Sequence, residues 1–512
     1  MKRWCVGAVV AAALGGLLAA GAPSGLAAHA PDTVTVAQGS DMLTGDPQKV
    51  VSTLTYNVLG NIYDGLIDRD RTLRLQPGLA VSWTMVAPTV WEFKLRRGVK
   101  FHDGEPFNAA AVKFTIGRAL DPKTRWPGAG LLRGIKSVDV VDDLTVRMTT
   151  AQPWPLLPSY LAYYGMMLPP QYVAQNGEDA LAKHPVGTGP YRFVSWAKDD
   201  HVELEANPTY WGGRPKITHA FIRTIPDQAS RLAALLSGSV DVINDVPPDD
   251  YAVIQRTPRL QLVEASSTGI YYILFNLVNP KGPIADVRVR QALNMAVDRT
   301  AIAQGIMHGA VAPATSFCSA VSLGCDTTVL GFPYDPARAK QLLKDAGYPN
   351  GFDMTIATMT GQFPADRDTT LNVADQLSKV GVRAKVVTED YGVLLVDQVE
   401  GRKLPYEATW MRVTDFVGYA GGIAERTFTA AGSVSLWATS PDQFAQYLGA
   451  ADILADPAQA KDLYRKAEML FLQEAPAIPL VAAPNVDATD KMLVWHPRDD
   501  YMLRIAAASW RP

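Results

Sequence analysis

Hydrophobic positions along this chain switch repeatedly between two periods. Val51, Leu54, Val58, Ile62 and Leu66 recur at three- and four-residue steps, which places one apolar stripe on a helix. Trp91, Phe93 and Leu95 alternate with Glu92, Lys94 and Arg96, the period of a half-buried strand, and the Phe101-His102-Asp103-Gly104 run closes it with a turn. Asn108 stands where its side chain can accept from the first free amides of a helix through Ala111, Val112, Ile116 and Ala119. Thr33 to Ala37 reads as an opening strand. Later, Phe352 to Thr358 predicts a strand, Ala365 to Val380 an amphipathic helix and Val382 to Val387 a second strand. Such a βαβ unit builds a parallel sheet with helices packed on it. Two late helices, Asp442 to Leu454 and Asp456 to Gln473, precede a short apolar run from Ala477 to Ala482. No repeat of 20 to 50 residues and no low-complexity linker divides the chain. The pattern predicts a mixed α/β protein with interleaved segments.

Composition fits that picture. At 512 residues, 48% apolar and 19% charged, the chain can bury more than one core and should hold two or three domains. Lys2 and Arg3 are the only charges in the first thirty residues, and an uncharged Ala/Gly/Leu-rich run follows from Trp4 to Ala22. With the small residues up to Ala30, this predicts a secretory signal peptide over 1–30, the mature chain beginning between His29 and Asp32. The competing reading is an uncleaved anchor, since the run approaches the roughly 20 residues a membrane helix needs, but its Ala/Gly richness favours a signal. The formal charge is -3, or -5 without the signal segment, with no long basic run, which argues against a nucleic-acid partner. Export leaves two cysteines, Cys318 and Cys325, in one short segment, and an oxidising compartment favours their pairing as a loop-stapling disulfide. Structural zinc wants about four ligands, and no His/Cys cluster accompanies the pair.

Motifs for catalysis are missing. There is no Gly-x-Ser-x-Gly elbow, no His-Glu-x-x-His helix and no phosphate-binding loop, and no two of the seven histidines fall within five positions of each other. A secreted hydrolase is therefore the weaker reading, and no cofactor is implied.

Several segments carry a family resemblance: Pro77 to Trp83, Trp91 to Gly104, Pro185 to Phe193, Asn207 to Gly213, Asn276, Arg288 to Arg299 and Tyr334 to Leu343. Together they resemble the family 5 solute-binding proteins of ABC importers, the oligopeptide, dipeptide and nickel-binding class, over nearly the whole mature chain and in the family's order. Read on their own terms, Gly187, Gly189 and Pro190 mark a turn few residue types adopt, and Trp83 and Trp211 are candidate core anchors. Such markers identify a scaffold and leave the ligand open.

The resemblance implies a two-lobed α/β clamshell that closes on its ligand by a hinge motion. The first lobe would comprise 31–268 and 478–512, with an appended subdomain at 47–183, and the second lobe 269–477. It also implies a small-molecule ligand, peptide or peptide-like, an ABC permease as partner, a periplasmic monomer and micromolar affinity, about -8 kcal/mol. Nickel chelates or opine-type solutes are the alternative within the fold. By position, Asp41, Met42 and Tyr56 of the first lobe and Tyr391 of the second match cleft residues of relatives. The segment Arg412-Val413-Thr414-Asp415-Phe416-Val417-Gly418-Tyr419 aligns with a Trp-Gly-Ala-Asp-Tyr-x-Asp-Pro stretch in which the acid pairs with a ligand amino group. Asp415 keeps the acid, so it either takes that role or is a solvated or capping aspartate. Arg412 replaces the tryptophan and could hold a ligand carboxylate bidentately, or pair internally with Glu389 or Asp415. Trp410 and Tyr419 either stack on the ligand or fill the lobe. Tyrosine is missing after Ile478-Pro479-Leu480, which departs from the usual peptide-binding pattern.

Overall fold

The computed structural model describes residues 32–359, 362–395, 402–454 and 456–512; the expected signal peptide lies outside them. Two sheets organise the chain. The first has seven strands, in the order Leu260–Glu264, Val486–Asp490, Val242–Ile243, Thr33–Gln38, His219–Thr224, His201–Ala206 and Tyr191–Ala197. Its opening strand Thr33–Gln38 runs parallel to both neighbours. The second has five strands, in the order Val382–Thr388, Phe352–Thr358, Ala408–Thr414, Gly269–Phe275 and Ala477–Ala482. Phe352–Thr358 and Val382–Thr388 pair in parallel across the helix Asp366–Ser378, as the βαβ pattern predicted. Each sheet anchors one lobe of a two-lobed α/β fold, and each lobe has its own apolar core.

Local chemistry explains the boundaries. Asn108 accepts from Ala110 N and Ala111 N and opens the helix Ala109–Leu120. The helix expected over 51–66 is shorter, Thr53–Ile62, because Ser52 caps its start and the chain turns extended at Tyr63. The four antiparallel strands Ala80–Ala87, Val90–Leu95, Thr145–Thr150 and Ile135–Asp142 form a separate small sheet within the segment expected to be an appended subdomain.

Gly187 and Gly189 are required by proximity. A Cβ on either would lie 2.1 or 2.6 Å from Ile62 backbone atoms. Neither residue has positive φ, so close approach of two backbone segments, and no special turn conformation, selects glycine there. Trp83 and Trp211 are only half-buried; Trp211 donates to Asp64 Oδ2 at 2.7 Å and carries the Arg96 guanidinium over its ring at 4.1 Å. His102 accepts from Gly187 N and bonds Gly189 O through Nε2 at 3.0 Å. Burial lowers its pKa to about 4, so it is a neutral brace of this turn at pH 7.

The chain passes between the sheets twice, and the passages are tied together. Ala265 N donates to Asn485 O, Ala483 N to Gly269 O, and the Asn485 side chain to Ser266 O. Ala477–Ala482 pairs with Gly269–Phe275 and lies wholly in the second sheet, while Val486–Asp490 belongs to the first. The chain thus leaves the second sheet after Ala482 and enters the first at Val486.

Candidate solute-binding cleft

The site sits where side chains of the two lobes meet. Strand Ala408–Thr414 is buried along its whole length and delivers Arg412 to the interface, with Trp410 two residues earlier on the same face. Trp410 is 0% exposed, edge-on to Tyr271 with centroids 4.6 Å apart and tilted on Phe363. Arg412 lies between the Phe363 and Tyr501 rings, its guanidinium carbon 4.0 and 4.3 Å from their centroids. This cation sandwich is a favourable site for a desolvated guanidinium. Its Nη1 pairs with Asp245 of the first lobe, a residue held at φ 53°. Burial is the largest single influence on Arg412 and works against its charge, but Asp245 together with the Tyr501 and Tyr271 hydroxyl groups outweighs it and the pKa is raised. Of the internal partners expected for Arg412, neither is used: Glu389 accepts from the Tyr406 hydroxyl, and Asp415 is engaged elsewhere. Nη2 of Arg412 is buried without a hydrogen-bond partner among the described residues.

Asp415 follows the same strand and is 1% exposed. Its Oδ1 accepts from Val417 N and Gly418 N, both at 2.9 Å, and its Oδ2 from Ser322 Oγ at 2.6 Å. The turn is shaped around it: Gly418 has φ 75°, and a Cβ on Gly422 would meet Oδ1 at 2.4 Å. Burial raises the carboxyl to about 6, against the hydrogen bonds and the Arg69 charge that favour ionisation. Asp415 therefore caps its turn, and three of its roughly four acceptor positions are filled.

The other expected residues occupy distinct places. Tyr391 is buried, its hydroxyl 3.1 Å from Ser52 Oγ across the interface and its ring edge-on to Phe363. Tyr56 donates its hydroxyl to Pro47 O and Val50 O within its own lobe and packs on Tyr163. Asp41 accepts from Met42 N, Asp199 N and Trp196 Nε1, so its carboxylate is filled by donors of the first lobe. Met42 is 2% exposed, and Tyr419 is half-buried at the head of helix Ala420–Phe428. Sequence reasoning missed Phe363, Asp245, Tyr501 and Arg69. They come from four separate segments, and no local signal marks them.

The lobes are shut. Gln362 Nε2 donates to Gly39 O at 2.8 Å, Gln228 Nε2 to Phe363 O at 2.9 Å and Arg69 Nη2 to Val417 O at 2.7 Å. Phe416 stacks on Tyr163 with centroids 4.1 Å apart, and Tyr160 donates to Glu425. Beside these contacts lies a cavity of about 260 Å³ lined by Arg133, Trp154, Glu425 and Asp452 among others. Cys318 and Cys325 form the expected disulfide. With Glu468 they are the one His/Cys/acid group among the described residues near enough to share an ion, but paired sulfurs have no thiolate to offer.

The matches to known proteins agree with this architecture. Residues 74–442 match the family model described as bacterial extracellular solute-binding proteins, family 5 Middle. The chain belongs to the family 5 bacterial extracellular solute-binding proteins. It is thus a solute-capturing component of ABC import. It is 32% identical over 492 residues to the glutathione-binding protein GsiB of Shigella dysenteriae, spanning 93% of this chain and 95% of that one. DppA of Helicobacter pylori, solved in complex with the peptide STSA, superposes with a TM-score of 0.87 at 25% identity over 94% of this chain and 98% of that one. AgaA of A.tumefacien R10, solved with agropinic acid, shares the fold with a TM-score of 0.85 at 24% identity over 94% and 99% of the two chains. No helix among the described residues is long and apolar enough to cross a membrane.

A buried acid in the first lobe gives the fold a pH signature. Asp487 accepts from Trp495 Nε1 at 2.7 Å, and burial, with the neighbouring Asp245 charge, raises it to about 7. A carboxyl raised above its unfolded value of about 3.9 contributes stability that is complete below that value and is lost as pH rises through the folded one. The melting temperature should therefore fall between pH 5 and pH 7.5, with Asp415 acting in the same sense. Asp487→Asn should flatten that fall in melting curves recorded by circular dichroism; an unchanged slope would remove Asp487 from the effect.

Proposed function

We propose that this protein captures a small peptide or peptide-like solute carrying both a free amino group and a carboxylate. Arg412 carries the reading. A guanidinium buried between two lobes, flattened between two aromatic rings, with one nitrogen left unpartnered, is suited to a planar carboxylate. Asp415, three residues on, has one acceptor position left for an ammonium group. Tyr391 and Trp410 supply apolar walls, and Asp41, Met42, Tyr56 and Tyr419 complete the proposed ligand site. The relatives' printed ligands, glutathione and a short peptide, both have these two termini. The signal-like 1–30 segment supports a periplasmic address, and the family supports delivery to an inner-membrane permease by a monomer that performs no chemistry on its cargo.

Titration calorimetry with glutathione, dipeptides, an opine and a nickel–histidine chelate tests this. The expected result is micromolar binding of one or more of the peptides, recovered with unaltered mass after release. Binding restricted to the chelate, or turnover of a peptide, would overturn it.

A further inference from the structure

The disulfide has a neighbour that stapling does not require. Glu468, in the middle of helix Pro457–Glu474, is 0% exposed, and its Oε1 lies 3.1 Å from Cys318 Sγ. A disulfide sulfur carries no hydrogen, so a hydrogen bond across this contact has to be donated by a protonated carboxyl. The surroundings favour that form. Burial raises the acid to about 7; the Asp326 charge adds to this, while the Asp326 N–H, Ser316 and the Lys461 charge oppose it. Oε2 is buried without a partner among the described residues. Burying an ionisable group against one sulfur of a pair costs stability that a packed apolar side chain would not, which makes Glu468 a candidate for chemistry at the disulfide.

The two cysteines differ in exposure. Cys318 is 8% exposed, while Cys325 is half-buried on a loop whose tip residues Val321 and Leu323 are 48% and 52% exposed. We propose that Cys318–Cys325 is a thiol-exchange site, in which a low-molecular-weight thiolate attacks the Cys325 sulfur and Glu468 protonates the departing Cys318. The incoming thiolate's electron pair forms the new sulfur–sulfur bond, and the old bond's pair leaves on Cys318 Sγ. Glu468 gives up its proton there and regains from solvent the one the free thiol released. One thiol and one disulfide become one mixed disulfide and one Cys318 thiol.

Exchange would reach the solute site through the enclosed loop. Ser322 of that loop bonds Asp415, Leu323 N donates to Gly418 O and Ala420 N to Leu323 O. Opening the ring frees the loop that holds the Asp415 turn.

The probe is 2-mercaptoethanol, which has neither amine nor carboxylate and so is read independently of solute capture. Mature protein is incubated with it under native conditions, and adducts are located by intact mass and peptide mapping. The adduct is expected on Cys325, at a rate per thiolate that falls as pH rises through about 7. Glu468→Gln should slow it by about tenfold or more at pH 6 and abolish the pH dependence. Modification only after denaturation, an adduct on Cys318, or a wild-type rate and pH profile in Glu468→Gln would overturn the proposal. Should that variant not fold, the wild-type pH profile decides: a rate per thiolate independent of pH excludes the acid.

Discussion

Asp415→Asn is expected to weaken binding of an amine-bearing solute by roughly 10- to 100-fold, the loss of one charge-assisted hydrogen bond in a dry interface. Asparagine keeps the shape and can still accept through one oxygen, so the turn closed by Val417 N and Gly418 N survives. Asp415→Ala should cost more, because it also leaves these amides and the Ser322 hydroxyl without their acceptor. Calorimetry against a solute and its N-acetylated form separates the two effects. Acetylation should weaken wild-type binding strongly and the asparagine variant hardly at all. Equal losses in both proteins would mean that Asp415 serves the turn alone.

The second large effect is on closure and stability. Arg412→Met leaves Asp245 buried without its counter-charge, beside Asp487, and should destabilise the protein by about 3–5 kcal/mol, read as a lower urea midpoint. Adding Asp245→Asn should recover much of this, since removing both charges of a buried pair costs far less than removing one. Solute affinity should stay low in the double variant, because the cation for the carboxylate is gone. Recovery of both stability and affinity would show that Arg412 is only a lobe-to-lobe tie.

What could be read in advance follows from how local each feature is. The βαβ unit at 352–388, the Asn108 cap and the strand at 90–95 depend on spacing within a few residues, and they fold as the spacing predicts. The disulfide was legible because two cysteines seven apart leave few alternatives. Arg412 stood out in the sequence as a departure from the family pattern, but its partner did not: Asp245 lies 167 positions away and reaches it because Val242–Ile243 sits inside the first sheet. Asp41 gave no hint in the sequence of its partners Trp196 and Asp199, which lie more than 150 residues on. Trp83 and Trp211 read as core because tryptophan is large, and both pack against the first lobe's core while part of each stays exposed.

Solute capture by two closing lobes is tested most directly by small-angle scattering of the mature protein, recorded with and without a solute that calorimetry has shown to bind. The account predicts a smaller radius of gyration and a profile matching the closed form once solute is saturating, with Arg412→Met remaining more open at the same concentration. An identical profile in the presence and absence of a bound solute would contradict it.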